Sequence, residues 1–562
     1  MPAKKEIKAV FVAISALFAL FLAMPVARLL SKSFSVEGGF GWDNYRNILT
    51  SAGFLEALRG SVAISAASAA VAVLLAFLLA YAVHYSGLPK LLKRFIAAAT
   101  VLPMLLPTIT YGFAIIYSLG KQGLLTRLLG FQPFDIYGFG GLLLGYVVYT
   151  LPIAFLLLSN TMRYIDKRFI TVSRLMGDRP FRTFWVTTVR PMVGALGAAF
   201  VQAFFLCFTD YGIPASVGGQ YKVVATELYN QMLGSLPSFE NGAVIAMMML
   251  LPSIASIVLL QVLEKYNFRY NQVSDLTPRK NILRDVLLGT GSLAVLLTVF
   301  SLFLVIFLVP FVKMWPYQLT FTTEHLTAIF ESPELSRVYT NSLLVAVLTA
   351  VLGSLIAYGA ALVTTRSALP ARLKGVLDAA ALVINTIPGM VLGIAFLFAF
   401  TGTPLHNSIA IVVICNIIHF FSTPYLLMKN SLSKLSPSWE TTAMLMGDSW
   451  LKTIVRVVTP NAGAALLEMF EYYFINAMVT VSAVIFLCGA RTMVITAKIK
   501  ELQYMAKFDQ IFALSLLILA TNLVAKGLCR LLARKKSRAG AFALLINKLQ
   551  SIKKEKSSHA AL

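Results

Sequence analysis

The stretch GSVAISAASAAVAVLLAFLLAYAVHY (residues 60–85) is almost wholly apolar and contains no Asp, Glu, Lys or Arg. The hydrocarbon core of a bilayer needs roughly 20 consecutive, mostly apolar residues in a helix. We identify twelve such runs, at residues 8–30, 60–85, 95–118, 139–160, 191–210, 242–263, 286–312, 341–365, 378–401, 408–428, 461–488 and 509–532. Strands of membrane barrels instead alternate over about ten residues. The sequence therefore predicts an all-α polytopic membrane protein with about twelve transmembrane helices.

The composition supports this class of protein. Hydrophobic residues make up 58% of the 562-residue chain, charged residues 13%, and the mean hydropathy is +0.78. Soluble domains carry about a quarter charged residues. The first run is longer than the 7–15 residue apolar core of a signal peptide, so we interpret it as a retained helix.

The net charge of +24 indicates an orientation in the membrane. Most of the 48 Lys and Arg residues fall in the N-terminus, the even-numbered connections and the C-terminal tail. This is the positive-inside pattern, which predicts that both termini are cytoplasmic and requires no nucleic acid. The basic tail, residues 533–562, is expected either to lie on anionic membrane lipid or to be solvated.

The chain contains one unit written twice. At an offset of 281, Ser61 aligns with Ser342, Pro89 with Pro370 and Pro107 with Pro388. Later the offset falls to 270, where the segment LMGD occurs at 175–178 and at 445–448. We predict a first six-helix unit at 1–264, a cytoplasmic linker at 265–285 and a second six-helix unit at 286–532. Because each unit has an even number of helices, the two repeats are parallel.

Each LMGD segment lies in a cytoplasmic connection of about 30 residues between helices four and five of its unit, at 161–190 and at 429–460. Bundle connections are usually 2–8 residues long, and long ordered loops often carry function. Gly177 and Gly447 are expected to permit a turn between two short helices. Asp178 and Asp448 are expected to cap the second of these helices. A plain amphipathic interfacial helix is the alternative interpretation.

The arrangement resembles the EAA loop of type I ABC import permeases: small residues, a Gly, an acidic residue, a short basic and apolar helix and a closing Pro. The Glu of that loop is replaced by Thr171 and Thr441, with Glu440 one position earlier. Pro191 stands fourteen residues after its glycine, whereas Pro460 stands thirteen after its own.

Two further stretches, TDYGIPASVGGQYKVVATELYNQM (209–232) and NAMVTVSAVIFL (476–487), resemble fused permeases of the ferric iron, thiamine and 2-aminoethylphosphonate group. The resemblance implies the MetI-like fold and a place in the bacterial cytoplasmic membrane. It also implies two copies of a cytoplasmic ABC ATPase subunit and an extracytoplasmic solute-binding protein. The transported solute would be small, with ferric iron preferred over an aminophosphonate or thiamine.

By the same resemblance, the residues that couple the permease to the ATPase are Thr171, Leu175, Gly177, Asp178, Arg182, Pro191, Glu440, Ala443, Leu445, Gly447, Asp448, Lys452 and Pro460. The chain itself has no phosphate-binding GxxxxGK[ST] motif, because Gly120-Lys121 is followed by Gln122. We therefore expect a transport permease with no catalytic residue and no cofactor, powered by a separate subunit.

Polar side chains within the apolar runs are candidates for the translocation path. Ionisable groups at membrane depth usually face the bundle interior or water. The candidates are Asp210, Tyr211, Glu471, Asn476, Thr480 and Ser482. The alternatives are helix–helix packing for the small polar residues and a bond to a neighbouring helix for Glu471. His419 is interpreted as a hydrogen-bonded core histidine, and no metal-binding spacing of His or Cys is present.

Two other classes of protein are alternatives. A secondary transporter of the major-facilitator type also has two parallel six-helix halves. It would carry a Gly- and Arg-rich signature between helices two and three, where this chain has SGLPKLLKR (86–94). A membrane enzyme would need a cluster of His, Asp or Cys with catalytic spacing, and the sequence shows none.

Overall fold

The computed structural model describes the backbone of residues 5–36, 39–266 and 281–559, and the side chains of these ranges except 264, 444 and 534–559. The predicted linker, 265–285, lies outside the described residues over 267–280, as do the last three residues of the tail.

In the first half the helices are Lys5–Phe18, Ala19–Ala23 (π), Met24–Ser33, Asp43–Thr50, Ala52–Tyr85, Lys90–Val101, Leu102–Leu105 (3₁₀), Thr108–Leu119, Leu124–Leu129, Phe139–Arg163, Arg168–Leu175, Pro180–Phe184, Trp185–Val189 (π), Arg190–Met192 (3₁₀), Val193–Thr209, Gly212–Val217, Val224–Leu233 and Phe239–Glu264. In the second half they are Ile282–Leu308, Val309–Phe311 (3₁₀), Glu324–Glu331, Pro333–Arg366, Ala371–Ile384, Gly389–Phe400, Ile409–His419, Ser422–Ser433, Ser438–Leu445, Trp450–Thr453, Ile454–Val458 (π), Thr459–Asn461, Gly463–Val479, Ile495–Tyr504 and Phe508–His559.

The only sheets in the described residues are two short antiparallel hairpins, one in each half. Ser35–Val36 pairs with Gly39–Phe40, and Val312–Met314 pairs with Gln318–Phe321. Each hairpin follows the first long helix of its half. The fold is therefore all-α, as predicted.

The two halves repeat each other element by element. Ala52–Tyr85 and Pro333–Arg366 begin and end at positions separated by 281, and Val193–Thr209 and Gly463–Val479 at positions separated by 270. Even single hydrogen bonds recur. The Ser61 hydroxyl accepts from the Val224 N–H, and Ser342 accepts from the Ile495 N–H, both at 2.8 Å. The internal repeat read from the sequence is thus present in the structure.

By length and composition, eight helices of the described chain could cross a membrane, or up to eleven if each strongly bent pair of helices is one span. The prediction of about twelve spans agrees with this range except at the run 461–488. That run forms the helix Gly463–Val479, whose 17 residues fall just short of a candidate span. Residues 482–487 then continue as turns.

Three of the predicted spans, at 95–118, 378–401 and 408–428, are strongly bent, so each consists of two helices and not of one straight helix. The pairs Lys90–Leu105 with Thr108–Leu129 and Ala371–Ile384 with Gly389–Phe400 bend by 106° and 109°. Ile409–His419 bends by 53° into Ser422–Ser433.

Proline explains the two sharper breaks. Pro107 and Pro388 have extended ψ values of 145° and precede the second helix of each pair. Proline cannot donate a helical hydrogen bond, and its ring disfavours helical geometry in the residue before it. Pro152, by contrast, lies inside the helix Phe139–Arg163.

The first long helix of each half packs against the other half. The Phe18 and Phe421 rings lie 4.8 Å apart, and a side chain at Gly359 would meet Ile14. In the reciprocal direction, Ser118 Oγ donates to the Leu302 carbonyl at 2.9 Å. Because the first long helix of each half packs against the other half, the two repeats form one interlocked bundle.

Candidate functional site

Each LMGD segment ends a short helix with the same backbone turn. Gly177 and Gly447 both have φ of +81°, a left-handed conformation that glycine adopts without penalty. The N–H of Asp178 bonds to the Ser173 carbonyl at 3.1 Å, and the N–H of Asp448 to the Ala443 carbonyl at 2.9 Å. This six-to-one bond closes a Schellman motif in both loops. A Cβ at either glycine would meet no atom within 4 Å, so the backbone conformation, not space, requires glycine.

The predicted capping role of the two aspartates is wrong. The N-cap of Pro180–Phe184 is Arg179, which makes no side-chain cap, and the cap of Trp450–Thr453 is Ser449, whose hydroxyl accepts from the Lys452 N–H. In both loops the N-cap position falls one residue after the aspartate, at Arg179 and at Ser449. The Schellman bond fixes the aspartate backbone before the second helix starts, so the aspartate cannot be the N-cap residue.

The aspartates instead tie the two short helices of each loop together. Asp178 accepts a 2.7 Å hydrogen bond from Ser173 Oγ and lies 3.1 Å from Arg182 Nε. Asp448 pairs with the Lys452 ammonium. These ion pairs are exposed, so each contributes little to stability alone, but both hold the glycine turn in the same shape.

Apolar side chains project from both turns. Leu175 and Met176 are 82% and 78% exposed, and Leu445 and Met446 are 85% and 78% exposed. Exposed apolar patches mark interaction sites more often than chance. The two leucines were predicted as coupling residues from the sequence and the two methionines were not, although the repeat of Leu-Met at both sites was the available signal.

The remaining loop residues have mixed positions. Thr171 is exposed on the first helix of its loop, and Ala443 is buried on the equivalent helix. Pro191 is buried in the turn Arg190–Met192, whereas Pro460 is exposed within Thr459–Asn461.

Glu440 points into the protein. Its carboxylate lies 3.3 Å from the Arg366 guanidinium at the end of Pro333–Arg366, and Arg366 is only 5% exposed. The equivalent positions of the first half hold Tyr85 and Ile170, which cannot form this pair. Glu440 therefore anchors its loop to the bundle.

A cavity of about 390 Å³ lies on the seam between the halves. Equivalent positions line it from both sides, such as Tyr149 opposite His419 and Asp210 opposite Thr480. Its polar lining comprises Thr108, Tyr111, Tyr149, Gln202, Thr209, Asp210, Asn385, His419, Thr423, Tyr472, Asn476, Thr480 and Ser482. Four predicted path residues, Asp210, Asn476, Thr480 and Ser482, are thus brought together at one cavity.

Two predicted path residues lie elsewhere. Glu471 Oε1 is 2.8 Å from Lys526 Nζ and does not line the cavity. Its paired charge satisfies it on the next helix, which was the alternative interpretation. Tyr211 is not among the residues that line the cavity, and its ring stacks on that of Tyr229 with centroids 4.7 Å apart.

Asp210 and His419 are the cavity residues with the most distinctive surroundings. Asp210 is 5% exposed, and its Oδ2 accepts the Ile213 N–H at 2.9 Å, which caps the helix Gly212–Val217. His419 was expected to be a hydrogen-bonded core residue, but its buried Nδ1 bonds to no described residue. His419 is the last residue of Ile409–His419, at the break before Ser422–Ser433, and it lines the cavity. The prediction of one apolar run at 408–428 did not place it there.

Two interlocked, equivalent halves, a polar cavity on their seam and a matched pair of loops on one face define a membrane permease. The chain belongs to the family of binding-protein-dependent transport system inner membrane components, whose profile matches residues 72–269 and 351–538. It is an importer permease of the ABC type and a multi-pass membrane protein.

Individual relatives agree with this family. A ferric transport system permease protein, FbpB 1, of Haemophilus influenzae is 25% identical over 88% of this chain and 80% of the relative. FbpB of Actinobacillus pleuropneumoniae is 26% identical over 71% of this chain and 60% of the relative. The thiamine transport permease ThiP of Salmonella typhimurium is 30% identical over 29% of this chain and 31% of the relative. The major-facilitator alternative finds no support among them.

Proposed function

We propose that the two LMGD loops each dock one copy of a cytoplasmic ATPase subunit, which drives a solute through the cavity between the halves. The observation that carries this proposal is the matched geometry of the loops. Both present a leucine and a methionine from a left-handed glycine turn braced by an aspartate ion pair. Two equal surfaces on one face fit two equal subunits.

Movement of the halves supplies a transport mechanism. Each loop is joined rigidly to its bundle, through Arg366 and Glu440 in one half and through a contact of Phe184 with Tyr81, whose ring centroids lie 5.5 Å apart, in the other. A force that draws the loops together would therefore rotate the halves as rigid bodies and open the cavity toward one face or the other.

The orientation follows from charge. The excess of Lys and Arg in the connections on the face of the loops assigns that face to the cytoplasm. Both termini then lie on the cytoplasmic side of a bacterial inner membrane. An extracytoplasmic solute-binding protein would deliver the solute to the opposite face.

Ferric iron is the cargo we favour. The relatives that cover most of this chain are named for ferric transport. The cavity offers the carboxylate of Asp210 and several phenol oxygens, and hard cations prefer oxygen ligands. Uptake of radioactive ferric iron by cells that carry the permease with its partners, with thiamine and molybdate as competitors, tests the cargo. Uptake of thiamine without iron uptake would overturn it.

Docking is tested by co-purification of the ATPase with Gly177→Ala and Gly447→Ala variants. A Cβ in a left-handed turn costs about 1–2 kcal/mol, so each variant should distort its loop and weaken ATPase retention about 5- to 30-fold. Gly375→Ala is the matched control, because Gly375 is helical, has no positive φ and faces open space. Equal retention by all three variants would contradict the proposal.

A further inference from the structure

Lys500 lies in a cage of tyrosines on the face opposite the LMGD loops. Its Nζ is 4.7 Å from the ring centroid of Tyr504, 5.8 Å from that of Tyr211 and 5.9 Å from that of Tyr229. All three distances fall within the roughly 6 Å range of cation–π attraction. We call these four residues the lysine cage.

The lysine cage joins the two halves. Tyr211 and Tyr229 belong to the first half, and Lys500 and Tyr504 to the second. Beside the cage, Gln503 Nε2 donates to the carbonyl of Ala215 at 2.9 Å across the same seam. The halves are therefore held together at this face by side chains from both.

The cage also lies on the pseudo-twofold axis. Tyr229 and Lys500 occupy the same position in the equivalent helices Val224–Leu233 and Ile495–Tyr504, and they contact each other. A residue that meets its own counterpart must stand where the axis passes. The axis also passes through the cavity, because the cavity is lined by equivalent positions of both halves.

The chain connects the cage directly to the cavity. Tyr211 follows Asp210, which lines the cavity at the end of the helix Val193–Thr209 that leads away from the first loop. The counterpart of Tyr211 is Val481, which also lines the cavity. The cage therefore stands between the cavity and the face opposite the loops.

The positive charge of Lys500 is stabilised by few polar contacts, although the side chain is buried. Lys500 is 8% exposed, and its Nζ donates to Gln503 Oε1 at 2.9 Å. No carboxylate of the described residues lies within ion-pair distance of it. Its neighbour Lys498, two residues earlier on the same helix, pairs with both Glu334 and Glu501.

This difference has a physical consequence. Burial lowers the pKa of Lys500 to about 8, which means that its ammonium loses hydration in the cage without full compensation. A cluster built only for stability would supply a carboxylate, as Lys498 has. A contact that forms and separates in each transport cycle must be weak enough for water to hydrate the ammonium again when the two halves part.

We propose that the lysine cage is the gate that closes the cavity toward the extracytoplasmic face, and that Lys500, Tyr211, Tyr229 and Tyr504 separate when the halves move apart there. The proposal rests on the proposed transport function, since a gate requires a path. It assigns to Lys500 and Tyr504 the role of controlling access, with no contact to the cargo in the closed state.

The test measures access to the cavity from the extracytoplasmic side. A cysteine introduced by Ser482→Cys, in a chain whose Cys207, Cys415, Cys488 and Cys529 are replaced by alanine, reports the rate of modification by a bulky, membrane-impermeant methanethiosulfonate. The full-length permease is used in right-side-out membrane vesicles. Lys500→Met and Tyr504→Leu should raise the rate at least tenfold, because each removes one partner of the cation–π contact.

Two controls separate the gate from general loosening. Tyr504→Phe retains the aromatic ring and loses only the hydroxyl that bonds to Tyr229, so it should raise the rate much less than Tyr504→Leu does. Lys498 lies on the same helix as Lys500, and its ion pairs with Glu334 and Glu501 do not involve the cage. Lys498→Met breaks these pairs and should leave the rate unchanged. Equal rates for Lys500→Met and Lys498→Met, or for Tyr504→Leu and Tyr504→Phe, would overturn the proposal.

The experiment needs no ATPase, binding protein or cargo. A rise in rate with the cage variants together with failure of ATPase docking would leave the gate standing and reject the proposed coupling. Normal docking with unaltered rates would do the reverse.

Discussion

The Arg366 guanidinium lies 3.3 Å from the Glu440 carboxylate and has no counterpart in the first half, where Tyr85 and Ile170 occupy these positions. Arg366 also donates to the carbonyls of Leu432 and Leu435. One arginine thus joins the end of a long helix to both the start and the body of the second loop. The two loops have the same shape at their glycines and different attachments to their bundles.

Glu440→Gln should loosen the second loop alone. The amide loses the charge that faces a nearly buried guanidinium, and a hydrogen bond to a charged group contributes about 1.5–3 kcal/mol. Hydrogen exchange of the backbone around Gly447 should become faster, while exchange around Gly177 stays the same. Faster exchange in both loops would show that the effect is global and that Arg366 is not a local anchor.

The equivalent hydroxyls of Ser61 and Ser342 should each be needed for stability. Ser61→Ala leaves the buried N–H of Val224 without its acceptor, and an unsatisfied buried donor costs about 1–3 kcal/mol. Thermal unfolding of the detergent-solubilised protein measures the loss, and Ser342→Ala should match it.

Ser68→Ala is the control for this pair. Ser68 lies on the same helix as Ser61, is fully buried, and its hydroxyl bonds to no described residue. Its replacement should change the melting temperature little. Equal destabilisation by Ser68→Ala and Ser61→Ala would mean that side-chain volume matters here, not the hydrogen bond.

The large features of this fold were accessible from sequence because they depend on patterns that membranes enforce. Helix-length apolar runs gave the class, and the repeat gave the equivalence of the halves. The breaks at 106–107 and 385–388 were harder to place. Pro107 and Pro388 were visible in the sequence as landmarks of the repeat, but a bend above 100° depends on what the second helix packs against.

The site shows the same division. The loops were found because a motif recurs at matching positions, and the glycine turn followed from the residue type. The partner of Glu471 could not be found, because Lys526 lies 55 residues away and on another helix. The lysine cage was also missed, since it joins residues 211, 229, 500 and 504 only after both halves have packed.

The exposed leucines should matter for docking and not for folding. Leu175→Ser and Leu445→Ser remove apolar surface that is 82% and 85% exposed, so the melting temperature should hardly change. If these side chains are anchors of the interface, each truncation should cost about 2 kcal/mol of binding, or roughly 30-fold in affinity for the ATPase.

Leu297→Ser is a useful comparison, because Leu297 is 72% exposed on the long helix Ile282–Leu308, away from both loops. It should leave ATPase affinity unchanged. An affinity loss of the same size with Leu297→Ser would remove the special role of the loop leucines.

Asp210 should be essential for transport through its charge. Asp210→Asn keeps the shape and an oxygen that can still accept the Ile213 N–H, so the helix Gly212–Val217 should remain capped. The variant removes the negative charge at the cavity wall, and a cationic cargo should then cross at least tenfold more slowly. Uptake measured beside protein abundance in the membrane separates loss of transport from loss of protein.

The matched comparison for Asp210 is a second carboxylate at membrane depth, Glu471, which lies outside the cavity and pairs with Lys526. The double variant Glu471→Met with Lys526→Met replaces a partly buried ion pair by apolar groups, a change that is often neutral or stabilising. It should retain uptake, because neither side chain faces the solute. Uptake lost in the double variant and retained in Asp210→Asn would place the path along the helix Gly463–Val479 and Lys526 instead of through the cavity.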